Sequence, residues 1–131
     1  MSARQLCLRL TSVDIEPASV SALLISHEHG DHLRGARVFA KKFGIPVYMN
    51  RGCFENARII YQLGELDDIR LFDTGHIFDH QDFMIHPLSI SHDTSDPVCF
   101  RIDDGKRPSV SLRTSAKCPR LSGHRPGIWT P

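Results

Sequence analysis

Six consecutive residues at positions 27–32, HEHGDH, place three histidines, a glutamate and an aspartate in one short segment. The preceding residues 20–26, VSALLIS, form a short apolar run that predicts a buried strand. The following residues 31–43 carry apolar side chains at helical spacing, and Gly44 supplies a helix stop. The segment is therefore predicted to lie between the carboxyl end of a strand and the start of a helix.

The rest of the chain repeats this alternation of strands and helices. Further strands are predicted at 45–50, 66–73, 81–93 and 96–106, and further helices at 2–11 and 51–64. Strands that alternate with helices favour an α/β fold whose sheet is covered on at least one face. From Pro108 the composition turns to proline, serine, arginine and glycine without periodicity. We therefore predict one domain at 1–107 and an aberrant, disordered tail at 108–131.

The spacing within HEHGDH predicts two groups of metal ligands. In extended backbone, His27 and His29 point to the same side of the chain, whereas Glu28 points away from them. Gly30 permits a tight turn, after which Asp31 and His32 stand at the start of a helix. Imidazole nitrogens combined with a carboxylate oxygen suit zinc, manganese or iron.

Two motifs resemble those of a known family. SHEHGDH, at 26–32, resembles the HxHxDH signature of the metallo-β-lactamase superfamily, and SHDTSDPVCFRI, at 91–102, resembles a motif of its YycJ/WalJ-like branch. The resemblance implies an αββα sandwich that holds two divalent ions, zinc or manganese, at the carboxyl ends of strands. It also assigns roles to residues. His27, His29 and His92 would bind the first metal, Asp31 and His32 the second, and Asp31 would also orient the attacking hydroxide. Apart from the resemblance, Asp93 adjoins His92 and is expected to orient this ligand without binding the metal itself.

Part of the family pattern has no counterpart in the sequence. The bridging aspartate in a motif like ATDLG, the final histidine and the N-terminal hairpin with its glycine- and serine-rich loop are all missing. We therefore expect an incomplete sandwich, without its N-terminal strands and C-terminal half, that holds one metal. A frameshift near 106–109 is one hypothesis for the tail, because SLRTSAKCP can encode ATDLG in another frame with suitable codons. A genuinely divergent tail is the alternative.

The resemblance implies a metal-dependent hydrolase that cleaves phosphodiesters, with DNA ends as the expected substrate. A thioester hydrolase of the same superfamily and a non-catalytic metal-binding remnant are alternatives. A net charge of +1 gives little support to a simple nucleic-acid-binding module, and no apolar run is long enough to span a bilayer. The sequence leaves the oligomeric state open.

The remaining cysteines and histidines suggest no second site. The four cysteines lie far apart without a CxxC pair, which argues against a cysteine zinc site. Scattered free thiols fit a cytoplasmic protein. Structural or solvent-exposed roles are expected for the other three histidines of the domain, His76, His80 and His86. No role is assigned to His124 in the tail.

Overall fold

The computed structural model describes residues 1–33, 35–91, 96–106 and 110–112, and for Asp31, His32 and residues 110–112 it describes the backbone alone. The helices are α1 Ala3–Thr11, α2 Gly30–Leu33, α3 Ala36–Phe43 and α4 Arg51–Ala57, with 3₁₀ turns at Pro17–Ser19 and Leu63–Glu65. The strands are β1 Leu23–Leu24, β2 Val47–Asn50, β3 Ile69–Phe72, β4 Phe78–His80, β5 Phe83–Ser89, β6 Val98–Asp103 and β7 Val110–Leu112. No helix within these residues is both long and apolar enough to cross a membrane.

The strands form two sheets. The first is parallel, in the order β1-β2-β3, with Val47 of β2 opposite Leu23 on one side and Ile69 on the other. The second is antiparallel, in the order β4-β5-β6-β7. Because parallel strands run in the same direction, β1, β2 and β3 end at the same edge of the first sheet. Residues that follow these strands are therefore brought to one edge.

Strand β2 lies in the middle of a layered structure and is buried on both faces. Val47 and Met49 belong to a core cluster with side chains of α3 and α4, including Ala40 and Cys53. Tyr48, whose side chain points the opposite way, packs in a second cluster with Phe72 of β3 and with three residues of the other sheet: Ile85, Val98 and Phe100. The arrangement is helix layer, parallel sheet, antiparallel sheet, as expected for part of an αββα sandwich. The predicted α/β class is thereby confirmed.

Local signals account for the helix ends that the sequence predicts. The Ser2 hydroxyl accepts a hydrogen bond from the Gln5 amide, and the Gln5 side chain accepts one from the Ser2 amide, which forms a complete capping box for α1. Gly44, with φ of 63°, ends α3 in the left-handed conformation. Each of these signals depends on residues within one helical turn.

Several predicted boundaries are wrong. The single helix predicted at 31–43 is divided into α2 and α3, and the helix predicted at 51–64 ends at Ala57. The sequence TGHIFDHQD, at 74–82, predicts a turn but contains the strand β4, which pairs with β5 across a two-residue turn at Gln81 and Asp82. Gln81 has a φ of 52°, which is uncommon for a residue other than glycine. Strand β7 lies within the segment predicted to be disordered, whose remaining residues fall outside the described part of the chain.

Candidate functional site

The residues after β1 carry the HEHGDH segment to the edge of the parallel sheet. The Ile25 amide donates to the Tyr48 carbonyl at 2.9 Å, so pairing with β2 continues just past β1. Ser26 and His27 follow and are both buried, at 4% and 2% exposure. The Ser26 hydroxyl and His27 Nδ1 are 2.9 Å apart, and this hydrogen bond restrains the orientation of the imidazole. A buried histidine with a fixed ring therefore stands at the end of the first strand.

His29 lies against His27. Their ring centroids are 4.8 Å apart with an interplanar angle of 80°, an edge-to-face arrangement. The His29 carbonyl accepts from the Leu33 amide at 3.2 Å, which places His29 directly before α2. The prediction that both rings occupy the same side of the chain is consistent with this contact. Their role as metal ligands stays a prediction.

The side chains of the other predicted ligands lie outside the part of the chain that the structure describes. The backbone of Asp31 and His32 is in α2, as the sequence predicts, but their side chains are not described. His92 and Asp93 belong to residues 92–95, which are outside the described residues. Within the described part of the chain, no group of three histidine, cysteine or acidic side chains is placed to hold a metal ion. The structure therefore brings together His27 and His29 from the predicted set.

The chemistry of this histidine pair fits a divalent metal ion. Neutral imidazole is a common zinc ligand, and a hydrogen bond at one ring nitrogen determines which tautomer the ring adopts. In the tautomer whose Nδ1 proton is donated to Ser26, His27 carries its lone pair on Nε2. A three-histidine zinc site would need one further ligand besides His27 and His29.

Glu28 is directed towards α4. Its Oε1 accepts from Asn56 Nδ2 at 3.2 Å, which connects the histidine segment to this helix. Burial raises the pKa of the neighbouring Cys53 thiol to about 12, and the carboxylates of Glu28 and Asp96 contribute to the shift. Cys53 is therefore a protonated core residue at neutral pH, which disfavours a role as nucleophile.

The expectation of scattered free thiols is only partly correct. Cys7 and Cys53 are free, but Cys99 takes part in a disulfide. Spacing along the sequence carries no information on this pairing, because a disulfide depends on which side chains the fold brings together.

A second polar cluster at the same edge was not predicted. Asn50, the last residue of β2, is 2% exposed, and its Nδ2 donates to the Asp96 carbonyl. The Thr74 hydroxyl, two residues after β3, donates to Asp96 Oδ2 at 2.6 Å. Of the contacts of this cluster, only the one that Asn50 makes with α4 has a signal in the sequence, because asparagine before a helix is a typical N-cap, and its Oδ1 does accept from the Cys53 amide at 2.8 Å.

Val98, two residues after Asp96, makes a further contact with the segment that carries the histidines. The Val98 amide donates to the Ser26 carbonyl at 2.9 Å, and the Ile90 amide donates to the Pro97 carbonyl at 3.0 Å. Ile90, directly after β5, and Pro97, directly before β6, are therefore paired at this end of the antiparallel sheet. This pair lies beside Ser26, the residue before His27.

His80 occupies a structural position, in line with the sequence expectation. Its Nδ1 is 3.1 Å from the Tyr48 hydroxyl and its Nε2 is 3.0 Å from the Ser21 hydroxyl. Arg70 donates to the Tyr48 hydroxyl at 2.8 Å and binds Asp68 through two further hydrogen bonds. The Arg70 hydrogen bond is the largest cause of the lowered pKa of Asp68. These residues join β4 to the parallel sheet.

Comparisons with known proteins identify the lineage. The sequence pattern of the metallo-beta-lactamase superfamily matches residues 1–107. Exodeoxyribonuclease WalJ of Streptococcus pneumoniae serotype 2 is 29% identical over 126 residues, which covers 94% of this chain and 47% of the relative. Exodeoxyribonuclease YycJ of Bacillus anthracis is 28% identical over 88 residues, covering 67% of this chain and 33% of the relative. The chain thus spans about half the length of the pneumococcal relative.

A solved structure supports the same assignment at the level of the fold. The subclass B3 metallo-beta-lactamase BJP-1 of Bradyrhizobium japonicum matches with a TM-score of 0.66 and 15% sequence identity. The match covers 83% of this chain and 46% of that structure. The two sheets and the helix layer therefore correspond to part of the family fold. Since the family pattern covers most of the sequence, the chain belongs to the metallo-beta-lactamase superfamily.

Proposed function

We propose that this chain carries part of the active site of a metal-dependent hydrolase that cleaves phosphodiester bonds at DNA ends. The observation that supports this most is the contact between His27 and His29 at the carboxyl edge of the parallel sheet. Two adjacent imidazoles, one of them buried and restrained by Ser26, are suited to hold a divalent ion.

A bound zinc or manganese ion would lower the pKa of a water molecule and polarise the scissile group. His27 and His29 would hold the ion, and the Ser26 hydroxyl restrains the His27 ring. His92 is proposed as a further ligand of this site. Asp31 and His32 are proposed for a second site, where Asp31 also orients the attacking water.

The substrate class rests on the relatives. Two proteins named as exodeoxyribonucleases match this chain at 28–29% identity, each over less than half of its own length. We therefore propose that the substrate is a DNA end and that the reaction is hydrolysis of its terminal phosphodiester bond.

The test is hydrolysis of a linear, end-labelled duplex by the purified chain with zinc or manganese. We expect progressive shortening of the labelled strand, and His27→Ala should lower the rate by more than about 100-fold. His76→Ala is the matched control, since this exposed histidine lies in the turn before β4, and it should leave the rate unchanged.

Absence of hydrolysis with every metal would contradict the proposed activity of this chain. Equal rates for the wild type and His27→Ala would contradict the proposed site. Metal binding without any hydrolysis would instead favour a non-catalytic metal-binding protein.

A further inference from the structure

Arg51 lies at the edge of the parallel sheet that carries the histidine pair. It directly follows β2 and is the first residue of α4. Because β1 and β2 are parallel neighbours, the end of β2 lies beside the segment that follows β1, which contains His27 and His29. The hydrogen bond from Asn56 of α4 to Glu28, the residue between the two histidines, brings α4 against this segment. Arg51 therefore begins a helix that adjoins the candidate metal site.

Arg4, near the start of α1, lies at the same edge. A Cβ atom added at Gly35 would be 2.5 Å from the Ala3 nitrogen, so the start of α1 packs against the residue before α3. Helix α3 begins at the carboxyl edge of the parallel sheet, because it connects the end of β1 to the start of β2. A second helix therefore brings an arginine to the edge that carries the histidine pair.

Both arginines are exposed, and neither forms an ion pair within the part of the chain that the structure describes. Glu55 stands one helical turn after Arg51, but it pairs with Arg58 at 3.0 Å. Arg37 of α3 is likewise bound to Glu65, at 2.9 Å. The two arginines at the carboxyl edge therefore carry positive charges that no described acidic side chain neutralises.

The exposed lysines of α3 lie at the opposite edge of the sheet. Lys41 and Lys42 are in the last turn of this helix, which ends shortly before β2 begins. The net charge of the chain is only +1, so attraction for an anion depends on where individual cations lie. At the carboxyl edge, Arg4 and Arg51 supply this local positive charge.

We propose that Arg4 and Arg51 bind backbone phosphates of the DNA whose end reaches the histidine pair. A guanidinium donates two parallel hydrogen bonds to one phosphate and stays charged throughout the neutral pH range. Two phosphate contacts from separate helices would fix the direction in which the DNA crosses the site without reading its sequence. The inference rests on the proposed function, because it assigns residues that hold the proposed substrate while the histidines hold the metal.

The test measures binding of a short fluorescein-labelled duplex to the metal-free full chain by fluorescence anisotropy, at salt concentrations from about 0.05 to 0.2 M. Omitting the metal separates binding from hydrolysis. Each phosphate contact that is lost reduces the slope of log affinity against log salt by about 0.9. We expect Arg4→Gln and Arg51→Gln each to show this reduction, with binding about five- to tenfold weaker at about 0.1 M salt.

Two further variants make the test specific to charge and to position. Arg51→Lys keeps the charge, so it should retain the salt dependence of the wild type and an affinity within about threefold. Lys41→Gln removes one charge at the opposite edge and is the matched control, so its affinity for the duplex should equal that of the wild type.

Hydrolysis with the metal present supplies a second measurement. Arg51→Gln should raise KM for the duplex and leave kcat unchanged, because a phosphate contact away from the scissile bond stabilises the bound substrate and the transition state equally. An unchanged KM would contradict the proposed contact.

The outcomes separate the inference from the proposed function. Weaker binding and a smaller salt dependence in both arginine-to-glutamine variants, with Lys41→Gln unchanged, support the two phosphate contacts. Wild-type affinity in either arginine variant would overturn the inference while leaving the proposed metal site and hydrolysis intact. An equal loss in Lys41→Gln would also overturn it, since the effect would then reflect net charge alone. If the wild type does not bind the duplex, the inference fails, and the hydrolysis of end-labelled DNA decides the proposed function separately.

Discussion

The amide of Val98 donates a hydrogen bond to the carbonyl of Ser26 at a distance of 2.9 Å. Val98 begins β6 of the antiparallel sheet, and Ser26 follows β1 of the parallel sheet. This bond therefore joins the two sheets directly beside His27. Both sheets contribute to the position of the candidate site, so changes in either one can affect it.

Gly35→Ala should destabilise the protein. A Cβ atom at Gly35 would lie 2.5 Å from the Ala3 nitrogen and 2.8 Å from the Ser2 carbonyl carbon, both in the backbone at the start of α1. Because backbone atoms can relieve such a clash only by moving the helix, we expect a loss of about 1–3 kcal/mol in the free energy of unfolding. Urea denaturation measures this loss.

Gly64→Ala is the control for that substitution. A Cβ at Gly64 meets nothing within 4 Å, so the change should stay within about 0.5 kcal/mol. Equal stability of the two variants would show that α1 does not pack against Gly35 as the structure has it.

Tyr48→Phe should weaken the connection between the two sheets without affecting metal binding. The Tyr48 hydroxyl is shared by Arg70 and His80, and its ring stacks on Phe78 at 5.0 Å between centroids. Phenylalanine preserves the stacking but leaves two polar groups without this partner. We expect a loss of about 1–2 kcal/mol in the free energy of unfolding. A stability unchanged from the wild type, measured by urea denaturation, would argue against the hydroxyl as a structural link.

Cys53 should make the stability of the protein fall at alkaline pH. In the folded protein, burial and the nearby carboxylates hold the thiol pKa at about 12, against an ordinary value of 9.0. Above about pH 9 the unfolded chain loses this proton while the folded chain keeps it, so rising pH favours unfolding. The effect is absent below about pH 8 and grows towards about pH 12.

Cys53→Ala isolates this contribution from the other groups that titrate at high pH. Truncation in the core should cost about 1–2 kcal/mol near neutral pH. The difference in unfolding free energy between the wild type and Cys53→Ala should then shrink from about pH 8 to about pH 10.5. A constant difference over that range would contradict the raised pKa.

The sequence predicts those features that depend on neighbouring residues. The helix α1 within 2–11, the helix stop at Gly44 and the approach of His29 to His27 all follow from contacts within a few positions. The α/β class follows from the alternation of apolar periods, and the family from HxHxDH. The proposed metal-ligand roles all remain predictions: His27, His29, Asp31, His32 and His92.

The features that the sequence does not predict depend on distant contacts. The helix at 31–43 is divided where Gly35 packs against the start of α1, which is more than thirty residues away in sequence. The helix at 51–64 was predicted from apolar spacing, yet Ile59 and Ile60 are 77% and 73% exposed, so their spacing does not mark a buried face. The contacts of Asp96 cannot be predicted from the motif at 91–102 in which it lies, because Asn50, at the end of β2, and Thr74, after β3, are distant from it in sequence.

Zinc binding by the full chain tests the central claim most directly. Isothermal titration of the metal-free wild type should show at least one zinc ion per chain, His27→Ala and His29→Ala should each lose this site, and His76→Ala should retain it. Two results would contradict the proposal that this histidine pair forms a metal site. One is that His27→Ala and His29→Ala both bind zinc with the stoichiometry and affinity of the wild type, and the other is that the wild type binds no zinc.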